Sequence, residues 1–153
     1  MTIPIKTQVL QGLVTALLTA PDLVTVQRFP PVPTELQTSQ APIAFIHEAS
    51  PELRESNNRF YKGILELDIM VFIELKSVDV DSGNLTFHDL ADRIQGQIHN
   101  ILHTSGFPQL TGLVLKVTER QVEKLIPNDI WGVLVYTVEI TYQHLTGDAF
   151  SKS

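Results

Sequence analysis

The most regular pattern of hydrophobic and polar positions lies between Tyr61 and Lys76, in the sequence YKGILELDIMVFIELK. Every second residue from Leu65 to Leu75 is a large aliphatic one, whereas the intervening positions mix charged and apolar side chains. Successive side chains of a strand point to opposite faces, so this alternation predicts a long β-strand with one dry face and one mixed face. The dry face cannot remain in water, and the rest of the chain must cover it.

Two other segments show the three- and four-residue spacing of apolar side chains that is typical of an amphipathic helix. Residues 4–19 form the first, which ends at the pair Ala20–Pro21, because the residue before a proline is pushed out of the helical conformation. Residues 85–104 form the second. Two helices can cover only one face of a sheet, and we expect them to cover the dry face of the long strand.

Shorter apolar runs predict further strands on either side of the long one, and polar or proline-rich segments separate them. The predicted strands are residues 23–28, 43–48, 113–119 and 131–144. The predicted connectors are an extended, proline-rich one at 29–42, an exposed loop at 49–59 and a polar one at 121–128.

This order of elements predicts an α+β fold, with a largely antiparallel or mixed β-sheet of about four to five strands and two helices packed on one face. A chain of 153 residues is large enough to bury a core of its own. We therefore expect a single domain over residues 1–153, with an ordered core of about 4–145 and a polar tail at 146–153.

The composition excludes several classes of chemistry. The sequence contains no cysteine, which rules out disulfides, thiolate catalysis and cysteine-bound zinc. The net charge of -6, without a basic cluster, argues against a protein that grips nucleic acid through its phosphates. No apolar run approaches the roughly 20 residues that span a bilayer, and the N-terminal residues lack the features of a secretory signal. We therefore expect no membrane partner and a protein that is made in a cytoplasm.

The residue types used by enzymes are present, but they do not form catalytic motifs. The sequence has no GxSxG elbow, and no glycine-rich phosphate loop follows a predicted strand. His99 and His103 have the i, i+4 spacing of a helical metal site, but no nearby carboxylate lies in register with them, and we interpret them as surface or edge-of-core histidines. From these residues we predict no catalytic residue, no metal and no cofactor, and the composition by itself leaves the purpose of the domain open.

The mixed face of the long strand is too apolar for free exposure to solvent. Together with alternate residues of the last predicted strand, it forms an apolar patch edged by charged residues, and such patches mark contacts between proteins. The predicted subunit-interface residues are Ile64, Glu66, Met70, Phe72, Val133 and Val135. The pattern leaves one alternative open, in which residues 29–42 fold over this face and make it a second core layer.

Three stretches carry a resemblance to a known family: YKGILELDIMVFIELK, LADRIQGQIHNIL and GVLVYTVEITYQH. In their pattern and order, after a helix and a proline-rich segment, they resemble the tail terminator (tail completion) proteins of long-tailed bacteriophages, of the lambda minor tail protein U type. The resemblance covers about residues 5–145 and lies in the order of elements, since such proteins have no catalytic motif.

The resemblance implies a structural protein of the virion and not an enzyme. Members of the family form a hexameric ring that caps the finished tail tube, stops its polymerisation and joins the tail to the head-side connector. The implied partners are other copies of the chain, the tail tube protein, the head-side connector or neck protein, and genomic DNA that passes through the lumen without specific binding. The implied location is the virion, with assembly in the host cytoplasm.

A ring of this kind contacts the tube and the connector through loop tips and strand ends, for which the polar segments 49–59 and 119–130 are the best candidates. The predicted tube- or connector-facing residues are Glu52, Arg54, Glu55, Arg59, Arg120, Glu123 and Lys124. Two other functions stay open. One is a different component of the virion neck, and the other is a small acidic enzyme or ligand-binding domain with a cleft near His47.

Overall fold

The computed structural model describes residues 5–28, 41–48, 53–56, 60–75, 83–103, 114–127 and 130–145 of the chain. Two helices and six strands lie in these ranges, which confirms the predicted α+β class. The elements are α1 (Ile5–Leu17), β1 (Thr25–Gln27), β2 (Ile43–Glu48), β3 (Leu53–Ser56), β4 (Phe60–Glu74), α2 (Gly83–His103), β5 (Val114–Leu125) and β6 (Trp131–Leu145). Neither α1 nor α2 is long and apolar enough to cross a membrane.

All six strands join one mixed sheet in the order β1-β2-β4-β6-β5, with β3 beside β4. β1 and β2 run parallel, and every other pair is antiparallel. The long strand β4 is central, because one of its edges pairs with β6 along its whole length. Its other edge is shared, since β3 pairs with residues 61–64 and β2 pairs with residues 67–72.

Both helices pack on the predicted dry face of the sheet. From Leu65 to Ile73, the alternate residues of β4 are at most 1% exposed. Alternate residues of β6 continue this layer, and the apolar stripes of the helices cover it to form one core. Burying a large aliphatic side chain stabilises the fold by about 1.5–3 kcal/mol, so this layer is the main source of stability. The helical residues of the core are Ile5, Val9, Leu10, Leu13, Ala16, Leu17, Phe87, Ala91, Ile94, Ile98, Ile101 and Leu102.

Two segments that were predicted to be connectors are wholly or partly strands. Residues 53–56, inside the predicted loop 49–59, pair with β4, and β5 runs through most of the predicted connector 121–128. Their polar sequences do not alternate as those of β4 and β6 do. Backbone hydrogen bonds to a well-specified neighbour nevertheless hold a polar strand in place, and β-propensity depends strongly on such context. Residues 29–40 of the predicted proline-rich connector and the predicted tail 146–153 lie outside the described residues.

Helix α2 lies close to the backbone of β6 at Gly132. A Cβ atom on Gly132 would lie 2.4 Å from Cε2 and 2.5 Å from Cδ2 of Phe87. The Phe87 ring is fully buried and cannot swing into solvent to make room. Glycine is therefore required at this position by the close approach of an aromatic ring to the strand backbone.

A polar clamp joins the turn after α1 to α2. The Asp22 carboxylate accepts hydrogen bonds from Arg93 Nε at 2.7 Å and from Gln97 Nε2 at 2.6 Å. The backbone N–H of Asp22 in turn donates to Gln97 Oε1 at 3.3 Å. The hydrogen bond from Arg93 is the main reason why the pKa of Asp22 lies below its usual value.

We expect Asp22→Asn to lower the free energy of unfolding at neutral pH by at most about 1 kcal/mol, because the Arg93 side chain is largely exposed and solvent screens the pair. The pKa of Asp22 is depressed in the folded state, so its contribution is present above the pKa of the unfolded carboxyl and is lost as pH falls through the folded value. Urea unfolding over a range of pH should show the two proteins converging in acid. Asp89→Asn, at an exposed position of the same helix, is the control. A constant difference at all pH values would contradict the assignment.

Candidate functional site

The helices leave one face of the sheet open. We call this the open face; it consists of the even-numbered residues of β4 from Lys62 to Glu74 and the odd-numbered residues of β6 from Val133 to Gln143. All the residues predicted for a subunit interface lie on it, so the facing of both strands is as predicted. Their cross-strand pairs are Ile64↔Thr141, Glu66↔Glu139, Met70↔Val135 and Phe72↔Val133. Contact of these residues with a second subunit stays a prediction.

An aromatic cluster closes one end of the open face. The Phe72 ring meets those of Phe45 and Trp131 edge-to-face, with centroids 5.5 Å and 6.1 Å away. Phe45 is 1% exposed and Val133 is 6% exposed within the single chain. This end of the face is therefore already a small second core, and Val133 has little surface to offer a partner. Phe45 was missed because the register of β2 against β4 cannot be read from the sequence.

The middle of the open face remains half-buried in the single chain and mixes apolar with charged groups. Glu66 lies directly opposite Glu139, and Arg120 of β5 donates to Glu139 Oε2 at 2.5 Å. The Asp68 carboxylate accepts a hydrogen bond from Thr137 Oγ1 at 2.7 Å. Two like charges directly opposite each other are unfavourable, and Arg120 offsets that repulsion. The charged residues thus form an ordered, hydrogen-bonded part of the surface.

The residues predicted to face a tube or connector from loops are placed differently by the structure. Arg54 and Glu55 belong to β3, and Arg120, Glu123 and Lys124 belong to β5, so none of these five lies in a loop. Arg120 coincides with a register shift between Glu119 and Gln121, where the strand bulges. Lys124 is held by a salt bridge to Asp92 of α2. Glu52 and Arg59 lie outside the described residues.

The β5–β6 hairpin instead offers an apolar tip. Leu125, Ile126 and Ile130 are 43%, 42% and 41% exposed, although all three are large hydrophobic residues. Leu125 is the last residue of β5, Ile126 follows it, and Ile130 directly precedes β6. Exposed hydrophobic residues near a strand end are a typical contact surface. They were not predicted as one because the sequence analysis treated this region as a polar connector.

Helix α2 and strand β5 bring together three potential metal ligands. His99 Nδ1 lies 2.7 Å, and His103 Nε2 lies 3.2 Å, from the same Oε1 atom of Glu119. Tyr136 of β6 donates its phenol hydrogen to that oxygen. The prediction that no carboxylate stands in register with the two histidines is therefore wrong. The only sequence signal was the position of Glu119 two residues after Val117, on the helix-facing side of β5.

The protonation states in this cluster follow from its surroundings. Partial burial raises the pKa of Glu119, but hydrogen bonds from Tyr136 and His99 outweigh it, and the pKa is lowered overall. Burial, together with the Glu119 carboxylate, raises the pKa of Tyr136 far above its usual value. The carboxylate is thus ionised and the phenol is a donor at neutral pH. An open pocket between Gln95, Asn100 and Glu119 gives solvent access to the cluster.

No protein-family model and no curated protein matches the chain. Among solved structures, a chain from the "Virion of native gene transfer agent (GTA) particle" is similar, with a TM-score of 0.49 and 10% sequence identity over 92% of each of the two chains. A similarity at this level does not define a family for the chain.

Proposed function

We propose that the chain is a structural protein of a phage-like virion, and that its copies form a hexameric ring that terminates the tail. In this proposal the ring caps the finished tail tube, prevents the addition of further tube subunits and joins the tail to the head-side connector. Genomic DNA passes through the lumen without specific binding. Such a protein works by geometry and has no turnover, so the proposal includes no catalytic residue.

The open face carries this proposal. Ile64, Met70 and Val135 are apolar, half-buried and not covered by either helix, and they lie among charged residues of both signs. A surface with an apolar centre and a polar surround is typical of a protein–protein contact. The occupant that we assign to it is the next copy of the chain, which presents a different surface, because a closed ring is built from such head-to-tail contacts. Arg120, Glu66 and Glu139 supply charges of both signs for this contact.

The hairpin tip supports the second half of the proposal. In a ring in which the open face of each subunit contacts a different surface of the next copy, the end of the β5–β6 hairpin can project from the ring. Leu125, Ile126 and Ile130 make it apolar, and none of them is needed to complete the core. We assign this tip to the contact with the tail tube.

The tube contact can be tested in particles produced from the genome that encodes the chain. We expect a variant with Leu125, Ile126 and Ile130 replaced by serine to fold and form rings but to fail in capping. Electron micrographs should then show tails of uncontrolled length, because the apolar contact with the tube is lost.

The matched control replaces two other exposed hydrophobic residues, Leu18 and Val24, by serine; they are 52% and 57% exposed and belong to the segment between α1 and β1. Normal particles are expected from it. Normal tail length and head joining in the complete absence of the chain would refute the terminator function. Normal tails that fail only in head joining would assign the chain to the neck instead.

A further inference from the structure

We propose that His99, His103 and Glu119 form a binding site for a divalent transition metal of the zinc type, which joins α2 to β5. The site lies on the helix-covered side of the sheet, away from the open face. It is therefore independent of the proposed ring and of the tail function. It differs from the prediction that the chain binds no metal.

The geometry of the three side chains is close to that of a metal site. The ligand atoms of the two imidazoles and the carboxylate all lie within 4.8 Å of one another. Zinc binds nitrogen and oxygen at about 2.0–2.2 Å, so two ligands in tetrahedral positions stand roughly 3.4 Å apart. The distances from Glu119 Oε1, 2.7 Å to His99 and 3.2 Å to His103, are thus about 0.7 Å and about 0.2 Å shorter than this separation. Both histidines are exposed, so their rings can rotate to admit the ion.

The surroundings of Glu119 supply the support that metal ligands require. Tyr136 is 1% exposed and donates its phenol hydrogen to the Glu119 carboxylate, which fixes the orientation of that ligand. Hydrogen bonds of this kind to a ligand commonly change metal affinity by about 10–100-fold. The neighbouring carboxylate of Asp92 is engaged by Lys124 and is not counted as a ligand.

The donor set selects the class of metal. Two imidazoles and one carboxylate suit zinc and its neighbours among the transition metals, whereas magnesium and calcium prefer oxygen donors only. The pocket beside Gln95 and Asn100 leaves space for water as a further ligand. Zinc should therefore bind, and magnesium at the same concentration should not.

Calorimetric titration of the tag-free, chelator-treated chain with zinc chloride tests the proposal. We expect one zinc ion per chain, and a cobalt-substituted sample should show the visible absorption of a low-coordinate site. His99→Gln, His103→Gln and Glu119→Gln should each raise the zinc Kd at least tenfold, because each removes one of three ligands. His88→Gln, an exposed histidine elsewhere on α2, is the matched control and should leave the Kd unchanged.

Tyr136→Phe examines the positioning role of the phenol. It should raise the zinc Kd by about tenfold while the metal-free protein keeps its fold, as judged by its melting temperature and circular dichroism. The proposal is overturned if zinc does not bind at about 1 mM, which corresponds to a binding free energy of only about -4.1 kcal/mol. It is equally overturned if the three ligand variants bind as tightly as the wild type, or if light scattering shows that binding requires two chains.

Discussion

Replacing Gly132 by alanine is expected to lower the free energy of unfolding by about 3 kcal/mol, which is at the upper end of the usual cost of overpacking. The added methyl group would lie 2.4 Å from a ring carbon of Phe87. Because that ring is fully buried between α2 and the sheet, the helix or the strand must shift to accommodate it. Chemical denaturation with urea, followed by circular dichroism, measures the change.

Two further variants isolate the cause of this loss. Gly96→Ala, at an exposed position of α2 where no atom lies within 4 Å of the new methyl group, should stabilise the protein by about 0.5–1 kcal/mol through helix propensity. In the double variant of Gly132→Ala with Phe87→Leu, the smaller side chain should make the alanine much less costly than it is alone. An unchanged unfolding midpoint for Gly132→Ala would show that α2 does not approach β6 in this way.

The second large effect concerns assembly. We expect Val135→Lys to reduce the mass of the protein in light scattering from that of an oligomer to that of the single chain, 17.1 kDa. Val135 lies in the half-buried middle of the open face, opposite Met70, where the proposed contact with a second copy would desolvate it. Burial of an unpaired ammonium group costs several kcal/mol, and every contact in the ring would carry that cost.

The matched control is Val24→Lys, because Val24 is 57% exposed and directly precedes β1, the edge strand of the sheet, whereas the open face belongs to β4 and β6. It should keep the oligomer mass of the wild type. Phe72 is a poorer probe, since its contacts with Phe45 and Trp131 make it part of the single chain's own packing. An oligomer that survives Val135→Lys would remove the open face from the subunit interface.

The sequence was sufficient to predict those elements whose own side chains specify them. β4 and β6 alternate because each has one face in the core, and the two helices show apolar stripes for the same reason. β3 and the second half of β5 have no such pattern. They are strands because β4 and β6 offer them backbone edges to pair with. The sequence of one segment does not show which strand it will pair with, so its strand character cannot be predicted from that segment alone.

The same distinction applies to the candidate sites: a site within predicted strands could be predicted, and a site formed between separate elements could not. The open face could be predicted because its residues follow one another at every second position of two predicted strands. The cluster of His99, His103 and Glu119 could not, because it depends on which helix lies over which strand and in what register. The aromatic cluster at Phe45 depends likewise on the pairing of β2 with β4. Side chains from separate elements meet through tertiary packing, which local periodicity does not describe.

The pairing of β4 with β6 also determines how the chain must fold. These strands form the longest ladder of the sheet, yet α2 and β5 lie between them in the chain. The β5–β6 hairpin is local and can close early, whereas the β4–β6 ladder requires the closure of a long loop, whose entropy slows folding. Until β4 docks, the edge of β6 and the apolar faces of both helices are exposed. That interval is the stage at which this chain is most vulnerable to aggregation.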